Sequence, residues 1–506
     1  MLRKTVLLIG IPLSTMVYAS DIELIVKYKD NKNKTLEQLA TNNVRGTSNH
    51  YDYEVIDNID SRTKLIKVNN YKPSVSTSSL GKSSKIQSTI VHNKENDEYA
   101  AAKKLMDTDS SIKYAIPKNS KMYAYNSAIT NGPTSIKKPK AQFIRWGEQW
   151  DMEDPKDITG GINAYGAWDL ISNKTKQIDV AVIDSGLAYQ PANDIADKID
   201  NNHQKYYFFM QNGQLRVSES IYDNGSFHGT HVAGTIAANG PKVKGVGGPV
   251  DGIKILPIRA LGDDGSGDTY AILESLKWAA GGKVKARDRN GRYISKSKAP
   301  VKVVNLSLGM SRIDPRTGYP IVSESEWKEN YMGTLCPAWN DAISKAHENG
   351  ITVVIAAGND GKNLFNDIPS GCKNIDAIVV ESTGPEGLLA PYSTYYAPDG
   401  VLKWAVNSLV VRAPGGDSRY GSTAEIYSTL DNYGYGYMQG TSMASPHVAG
   451  IIALLYQELN DKQPAFEIKN QIEKALENSK DIYSPNIVNA KNAVQNIINS
   501  NLKVAA

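Results

Sequence analysis

Cysteine is scarce in this chain, and so is any excess of charge of one sign. Two cysteines among 506 residues exclude a disulfide-dense scaffold and a Cys-rich zinc ribbon. A balance of 57 Lys+Arg against 53 Asp+Glu leaves a net charge of +4, too thinly spread to suggest nucleic acid as a partner. No apolar run reaches the roughly 20 residues that a membrane-spanning helix needs, so no stable membrane insertion is expected. What is present, 41% hydrophobic and 22% charged residues, suits a globular protein rather than a disordered one. The length allows two to four domains at about 150 residues each.

The N-terminus reads as an export signal. Arg3 and Lys4 precede an apolar run over 5–17, and Val17-Tyr18-Ala19 supplies the small-x-small pattern of a cleavage site. Residues 1–19 are therefore expected to be removed on secretion, to the periplasm or outside the cell. Residues 20–128 carry the pattern of a small α+β unit. Strands are predicted at 22–28, 51–59 and 63–68, a helix at 96–106 and a strand at 111–117. Its two histidines, His50 and His92, lie in polar surroundings, and it holds no catalytic constellation. Residues 126–140 are polar, with Gly, Pro and three lysines, the composition of an exposed linker. This places a linker and processing region at 129–148 and the main domain at 149–506. The split also accounts for the charge. Residues 1–19 hold two basic groups and no acid, and 20–130 hold 17 basic and 13 acidic groups. The remainder is slightly acidic, so the apparent basicity belongs to segments expected to be discarded.

Three motifs carry chemistry. In Gln177-Ile178-Asp179-Val180-Ala181-Val182-Ile183-Asp184-Ser185-Gly186 a β-branched run ends in an acid and a turn. Open α/β sheets place functional groups at such strand ends, although Asp184 alone also suits a turn. In Phe227-His228-Gly229-Thr230-His231-Val232-Ala233-Gly234 a histidine opens a helical stretch of small residues. The His228/His231 spacing, with no Glu between, differs from the H-E-x-x-H metal motif. In Gly440-Thr441-Ser442-Met443-Ala444-Ser445-Pro446-His447-Val448-Ala449-Gly450 a serine precedes a helix. In isolation that serine suits an N-cap, and a nucleophile there would also gain from the helix dipole. Acyl transfer needs a hydroxyl nucleophile, an imidazole to take its proton, and a carboxylate to orient the imidazole. Asp184, His228 and Ser442 supply all three, in that order.

These segments resemble those of the subtilisin-like serine proteases, particularly secreted bacterial members made with an inhibitor-like propeptide. The resemblance implies an α/β fold: a doubly wound, mostly parallel sheet with helices on both faces, preceded by a small α+β propeptide domain. It also implies residue roles, with Ser442 as nucleophile, His228 as general base and acid, and Asp184 as orienting carboxylate. His231 and His447 would be structural. Asn359, at the end of Ile351-Thr352-Val353-Val354-Ile355-Ala356-Ala357-Gly358-Asn359, would donate to the oxyanion. Gly265, Ser266 and Gly267, with Ser307, Leu308 and Gly309, would form two edges that grip an extended peptide as an added strand, joined by Ala357 and Gly358. Asp367 and the turn Ile368-Pro369-Ser370-Gly371 fall where the family builds its specificity pocket, and an acid there would favour basic side chains. Cys336 and Cys372, an even pair in an exported chain, are expected to form a bridge, the alternative being two buried thiols. Calcium is the cofactor the family implies, as a structural ion held by Asp194, the Asn239 side chain and the carbonyls of Ala237, Pro241 and Val243. The basic stretch 283–298 reads as a surface loop, and Tyr433-Gly434-Tyr435-Gly436-Tyr437 as a lining of the cleft.

The expected function is that of a secreted serine endopeptidase working through an acyl-enzyme and processing itself between about residues 124 and 140. Its partners would be polypeptide substrates and its own propeptide as an intramolecular inhibitor, with a monomeric state and no nucleic acid. The rival is a secreted non-catalytic binding protein on the same fold, which a broken triad would signal. An α/β-hydrolase would show G-x-S-x-G and place its serine first rather than last.

Overall fold

The computed structural model describes residues 20–29, 52–71, 94–124, 147–294, 301–314, 317–396, 408–459 and 463–505. The expected signal segment and the linker 126–140 lie outside them.

The N-terminal unit is a four-stranded antiparallel sheet in the order Asp52–Asn58, Thr63–Tyr71, Ser20–Tyr28, Ile112–Pro117. The helix Lys94–Thr108 covers one face. Period-two alternation sends Ile22, Leu24 and Val26 toward Ala101 and Ala102 of that helix. Ile25, Leu65 and Ile116 point the other way, into a cluster shared with Leu273, Leu276 and Leu335 of the larger unit. The sheet is thus covered on both faces.

The larger unit is built on an eight-stranded sheet. Its order is Leu409–Pro414, Ile378–Thr383, Thr352–Ala356, Val303–Leu306, Ile178–Asp184, Ile253–Arg259, Tyr207–Gln211, Gln214–Ser218. All pairings are parallel except the last, a hairpin edge. Strand Ile178–Asp184 is buried along its whole length. Its Val180 and Val182 face the helices His228–Ala237 and Thr441–Glu458, while Ala181 and Ile183 face Thr269–Ala279 and Gly333–Glu348. The α/β class expected from the sequence is the one observed. The last helices are Thr441–Glu458, Ala465–Glu477 and Ala490–Ala505, the first of which places Ser442 in its first turn.

Cys336, on the helix Gly333–Glu348, is bonded to Cys372 across a sequence separation of 36. One strand had no sequence signal. Lys121–Ala124 lies between Ser266–Asp268 and Leu308–Ser311 of the larger unit, antiparallel to both.

Candidate active site

Asp184 closes the central strand and His228 opens a helix beside it. His228 Nδ1 lies 2.8 Å from Asp184 Oδ1, both side chains being fully buried. Two further bonds fix the approach. Asp184 Oδ1 also accepts from the Ser185 N–H at 2.7 Å, and the Gly229 N–H donates to Ser185 Oγ at 2.9 Å. A carboxylate on Nδ1 selects the tautomer whose Nε2 is an acceptor. That Nε2 is buried and has no hydrogen-bond partner among the described residues. His231, one turn on, has a different role. Burial pushes its pKa down to about 3, and its Nε2 lies 3.0 Å from Ile426 O and 3.2 Å from Gly436 O. It is a neutral tie between helix and hairpin. His447 is likewise enclosed, between Met443 O at 2.7 Å and Asp151 Oδ2 at 2.9 Å.

Ser442 owes its setting to Pro446. A proline lacks the N–H that would bond the carbonyl four residues back, here that of Ser442. Ser307 Oγ donates to that carbonyl instead, at 2.9 Å, and Ser442 Oγ donates to Ser307 O at 3.0 Å. Asn305 anchors the arrangement, since its Nδ2 donates to Ser307 Oγ and its Oδ1 accepts from Ser445 Oγ. Asn359 stands opposite. Its Oδ1 accepts from both the N–H and the hydroxyl of Thr441, at 2.9 and 2.8 Å, which turns its Nδ2 donor away from Thr441. Gly358 before it has φ +118°, and a Cβ there would lie 2.4 Å from the Asp367 carboxylate. Only glycine fits this approach.

The expected substrate edges, Gly265 to Gly267 and Ser307 to Gly309, flank a groove that the strand Lys121–Ala124 fills. Tyr123 pairs with Ser266 and Gly309, and the Ala124 N–H donates to Gly265 O at 2.8 Å. Lys121 Nζ meets Asp268 at 2.8 Å. Met122 is fully buried while Tyr123 is 52% exposed. Sequence reasoning missed these residues, since a four-residue strand borrowed by another unit's edges has no periodicity of its own to detect.

Asp367 lies behind Gly358 and is fully buried. Thr394 Oγ1 bridges it to Asp360, at 2.9 and 2.7 Å, and burial pushes the Asp360 carboxyl up. The Tyr-rich run forms the strand Tyr435–Met438, paired with Ile426–Thr429. In the basic stretch, Arg287 stacks on Tyr293 and Arg292 pairs with Asp288. A second group of titratable side chains, Asp179, Asp200 and His203, sits at the far end of the central strand from Asp184. Its carboxylates are taken up by Gln177 Nε2 and by the N–H groups of Asn202 and His203.

In the loop expected to hold calcium, several of the expected ligand oxygens accept hydrogen bonds from the chain itself. Lys244 Nζ donates to Asn239 Oδ1 at 3.0 Å. Val243 O accepts from the Gly240 N–H at 3.1 Å, and Asp194 Oδ2 accepts from the N–H groups of Lys242 and Val243. An ammonium and backbone amides thus occupy oxygens that a hard cation would require, and Ala237 and Pro241 are left without a completed set.

The subtilase family model matches residues 175–499, which span all three motifs. The chain belongs to the subtilase family. Among curated relatives, an extracellular protease of Xanthomonas campestris is 30% identical over 334 residues, covering 62% of this chain and 48% of that protein. A thermophilic serine proteinase of a Bacillus species is 29% identical, covering 74% of this chain and 70% of that one. The chain spans only 48% and 32% of the first two curated relatives it matches. Among solved structures, a protease from Pseudoalteromonas arctica is 29% identical with a TM-score of 0.51, covering 71% of this chain and all of the other. The epidermin leader peptide processing protease of Staphylococcus aureus, 20% identical, shares the fold over 94% of this chain and 98% of its own, with a TM-score of 0.57.

Proposed function

We propose that this subtilase is a secreted serine endopeptidase that hydrolyses peptide bonds through an acyl-enzyme and releases itself from a zymogen. The observation that carries this reading is the buried Asp184–His228 pair, 2.8 Å apart, whose Nε2 has no hydrogen-bond partner among the described residues. Ser442 Oγ leaves Ser307 O for His228 Nε2, gives up its proton there and attacks the carbonyl of the bound chain. Asp184 holds the imidazole tautomer and faces the imidazolium that forms. The developing oxyanion meets Asn359 Nδ2 and the N–H of Ser442, which lies among the amides at the helix start that have no helical acceptor.

The N-terminal unit acts as propeptide in this reading. Its strand Lys121–Ala124 occupies the groove, and its Lys27 and Lys113 both meet Asp341 of the larger unit. The relatives named extracellular proteases and the 1–19 segment support export. Among the described residues no helix is long and apolar enough to cross a membrane. No step is assigned to calcium, because Lys244 Nζ and backbone amides donate to the Asn239, Val243 and Asp194 oxygens. A non-catalytic role finds no support, since acid, histidine, serine and Asn359 are all in place.

Ser442→Ala in the full chain tests the reading. The expected result is no casein hydrolysis and a chain that stays in one piece after removal of the signal. Normal maturation of the purified variant would overturn autoprocessing, and retained hydrolysis would overturn the mechanism.

A further inference from the structure

The described part of the basic stretch, 283–294, takes no part in the triad or in either groove edge. Lys283 and Lys285 are exposed while Val284 and Ala286 are buried in the core. That is the alternation of an extended chain, which spaces successive cations roughly 7 Å apart. Arg287 then joins the edge of the eight-stranded sheet. Its N–H donates to Leu215 O at 3.2 Å and its carbonyl accepts from the Val217 N–H at 2.9 Å, so Arg287 lies directly beside Arg216. The chain turns at 288–291 and returns with Tyr293 on the other side of Arg287. Arg289 and Arg292 are exposed at that turn.

Like charges set opposite one another across strands repel, yet Arg216 and Arg287 are placed so. Arg287 has a partial outlet, with its guanidinium 4.6 Å from the Tyr293 ring centroid and its Nη2 donating to Tyr293 Oη at 2.7 Å. Arg216 has less: its Nε is buried with no hydrogen-bond partner among the described residues. The acids of this edge are engaged elsewhere. Asp288 Oδ1 accepts from the N–H groups of Asn290 and Arg292, and Glu219 accepts from Gln204 Nε2 at 3.2 Å. Guanidinium groups bind sulfate and carboxylate as two-pronged donors, so an anion from outside would relieve the repulsion. The row also abuts the groove. The Met210 N–H, on the strand next to that of Arg216, donates to Asp268 Oδ2 at 3.2 Å, and Asp268 ends the substrate edge Ser266–Asp268.

We propose that this edge binds a linear acidic polysaccharide, one bearing sulfate or carboxylate groups along its length, and holds the protein to surfaces made of such chains. The cations lie in a row and not over a plane, which suits a chain. A bilayer would need apolar side chains to insert beside the charges, and Tyr293 is the only large hydrophobic residue exposed within 283–293. A single-stranded nucleic acid would need an aromatic face on which to stack its bases, and the Arg287 guanidinium already covers that of Tyr293. The rest of the larger unit is slightly acidic, so attraction to a polyanion is local to this edge.

A fluorescent heparin oligosaccharide titrated with the purified protein, read by anisotropy over a range of salt concentrations, tests the site whether or not the protein is an active peptidase. Binding at low salt that weakens as salt rises is expected. Lys283→Gln/Lys285→Gln, two exposed changes, should weaken it roughly tenfold and flatten its salt dependence. The thermal midpoint and casein hydrolysis of this variant should match the parent's. Arg216→Gln should weaken binding about fivefold without lowering the midpoint, because it removes a repulsion from the free protein. An oligosaccharide that does not bind, or that binds the double variant as tightly as the parent, overturns the proposal. Tighter binding to phosphatidylglycerol vesicles, or to a single-stranded oligonucleotide of similar charge, overturns the choice of polysaccharide. A midpoint lowered by Arg216→Gln with binding intact overturns the place of that arginine in the site.

Discussion

At Thr441 the backbone N–H and the hydroxyl both donate to Asn359 Oδ1, and the same hydroxyl accepts from the Gly358 N–H at 3.1 Å. A primary amide held by its oxygen has one orientation, so Thr441 is a positioning residue for the Asn359 donor. Removing Asn359 as Asn359→Ala should lower kcat by roughly 10²–10³, a magnitude measured for this donor in subtilisin itself. Thr441→Val keeps the volume and the backbone bond but loses the hydroxyl, and should lower kcat by about tenfold with KM little changed. The double variant should be no slower than Asn359→Ala alone, because the two act through one donor. Steady-state kinetics on a peptide substrate read all three, and additive losses would show that Thr441 acts some other way. At Lys244 the question is stability. Its ammonium sits on Asn239 Oδ1, where the family's structural cation would need that oxygen. Chelator should therefore leave the thermal midpoint within about 1 °C, and Lys244→Met should lower stability by roughly 1 kcal/mol by stranding a polar oxygen. A large drop in midpoint on adding chelator would refute this.

Among the elements, those with a long buried face were legible in the sequence and those that borrow their surroundings were not. Strand Ile178–Asp184 has helices on both sides and so reads as an apolar run. The segments around Asp184, His228 and Ser442 were legible because close packing and chemistry together leave few alternatives at each letter. Gly229, for example, would place a Cβ 2.3 Å from Gly186 O. Lys121–Ala124 was illegible because its partners belong to another unit. In the loop 237–245, where the family resemblance implies a cation, the Lys244 ammonium lies on Asn239 Oδ1. The disulfide belongs to this scale as well. It joins the helix Gly333–Glu348 to the turn after Ile368 and closes a loop, with a separation of 36, that contains Gly358 and Asn359. Constraining the unfolded chain over that span is worth roughly 2–4 kcal/mol. Cys336→Ser should lower the thermal midpoint accordingly, and reductant should do the same to the parent protein but leave the variant unmoved. An unchanged midpoint in both would show that the bridge contributes nothing to stability.

Over the whole molecule, the N-terminal unit meets the larger one at the groove, along an apolar seam where Ile25, Leu65 and Ile116 join Leu273, Leu276 and Leu335, and at the carboxylate of Asp341. Lys27 and Lys113 come to it from the sheet, and Lys345 from its own helix at 2.8 Å. Burial works to raise the pKa of Asp341, but the donors Lys113 and Lys345 and the charge of Lys27 outweigh it and hold the group down at about 2. The sign follows from linkage. A carboxyl whose pKa is lower when the units are together stabilises their association fully above its ordinary value, near ~3.9, and loses that contribution as pH falls toward about 2. Lys345 stays with the larger unit, so the change on separation comes from Lys27 and Lys113 alone. After cleavage the N-terminal unit should therefore co-elute with the catalytic unit at neutral pH and separate progressively as pH falls from about 4 toward 2. Asp341→Asn removes the charge and leaves two partly buried lysines facing an amide. The loss should be on the order of 2 kcal/mol, or about thirtyfold in affinity at neutral pH, and elution of the variant should no longer shift over that window. Gel filtration of the cleaved complex, parent and variant, across pH 7 to pH 3 measures both effects. A variant that still holds its N-terminal unit as tightly as the parent at neutral pH would mean that the groove strand and the apolar seam retain it and that the Asp341 contact is incidental.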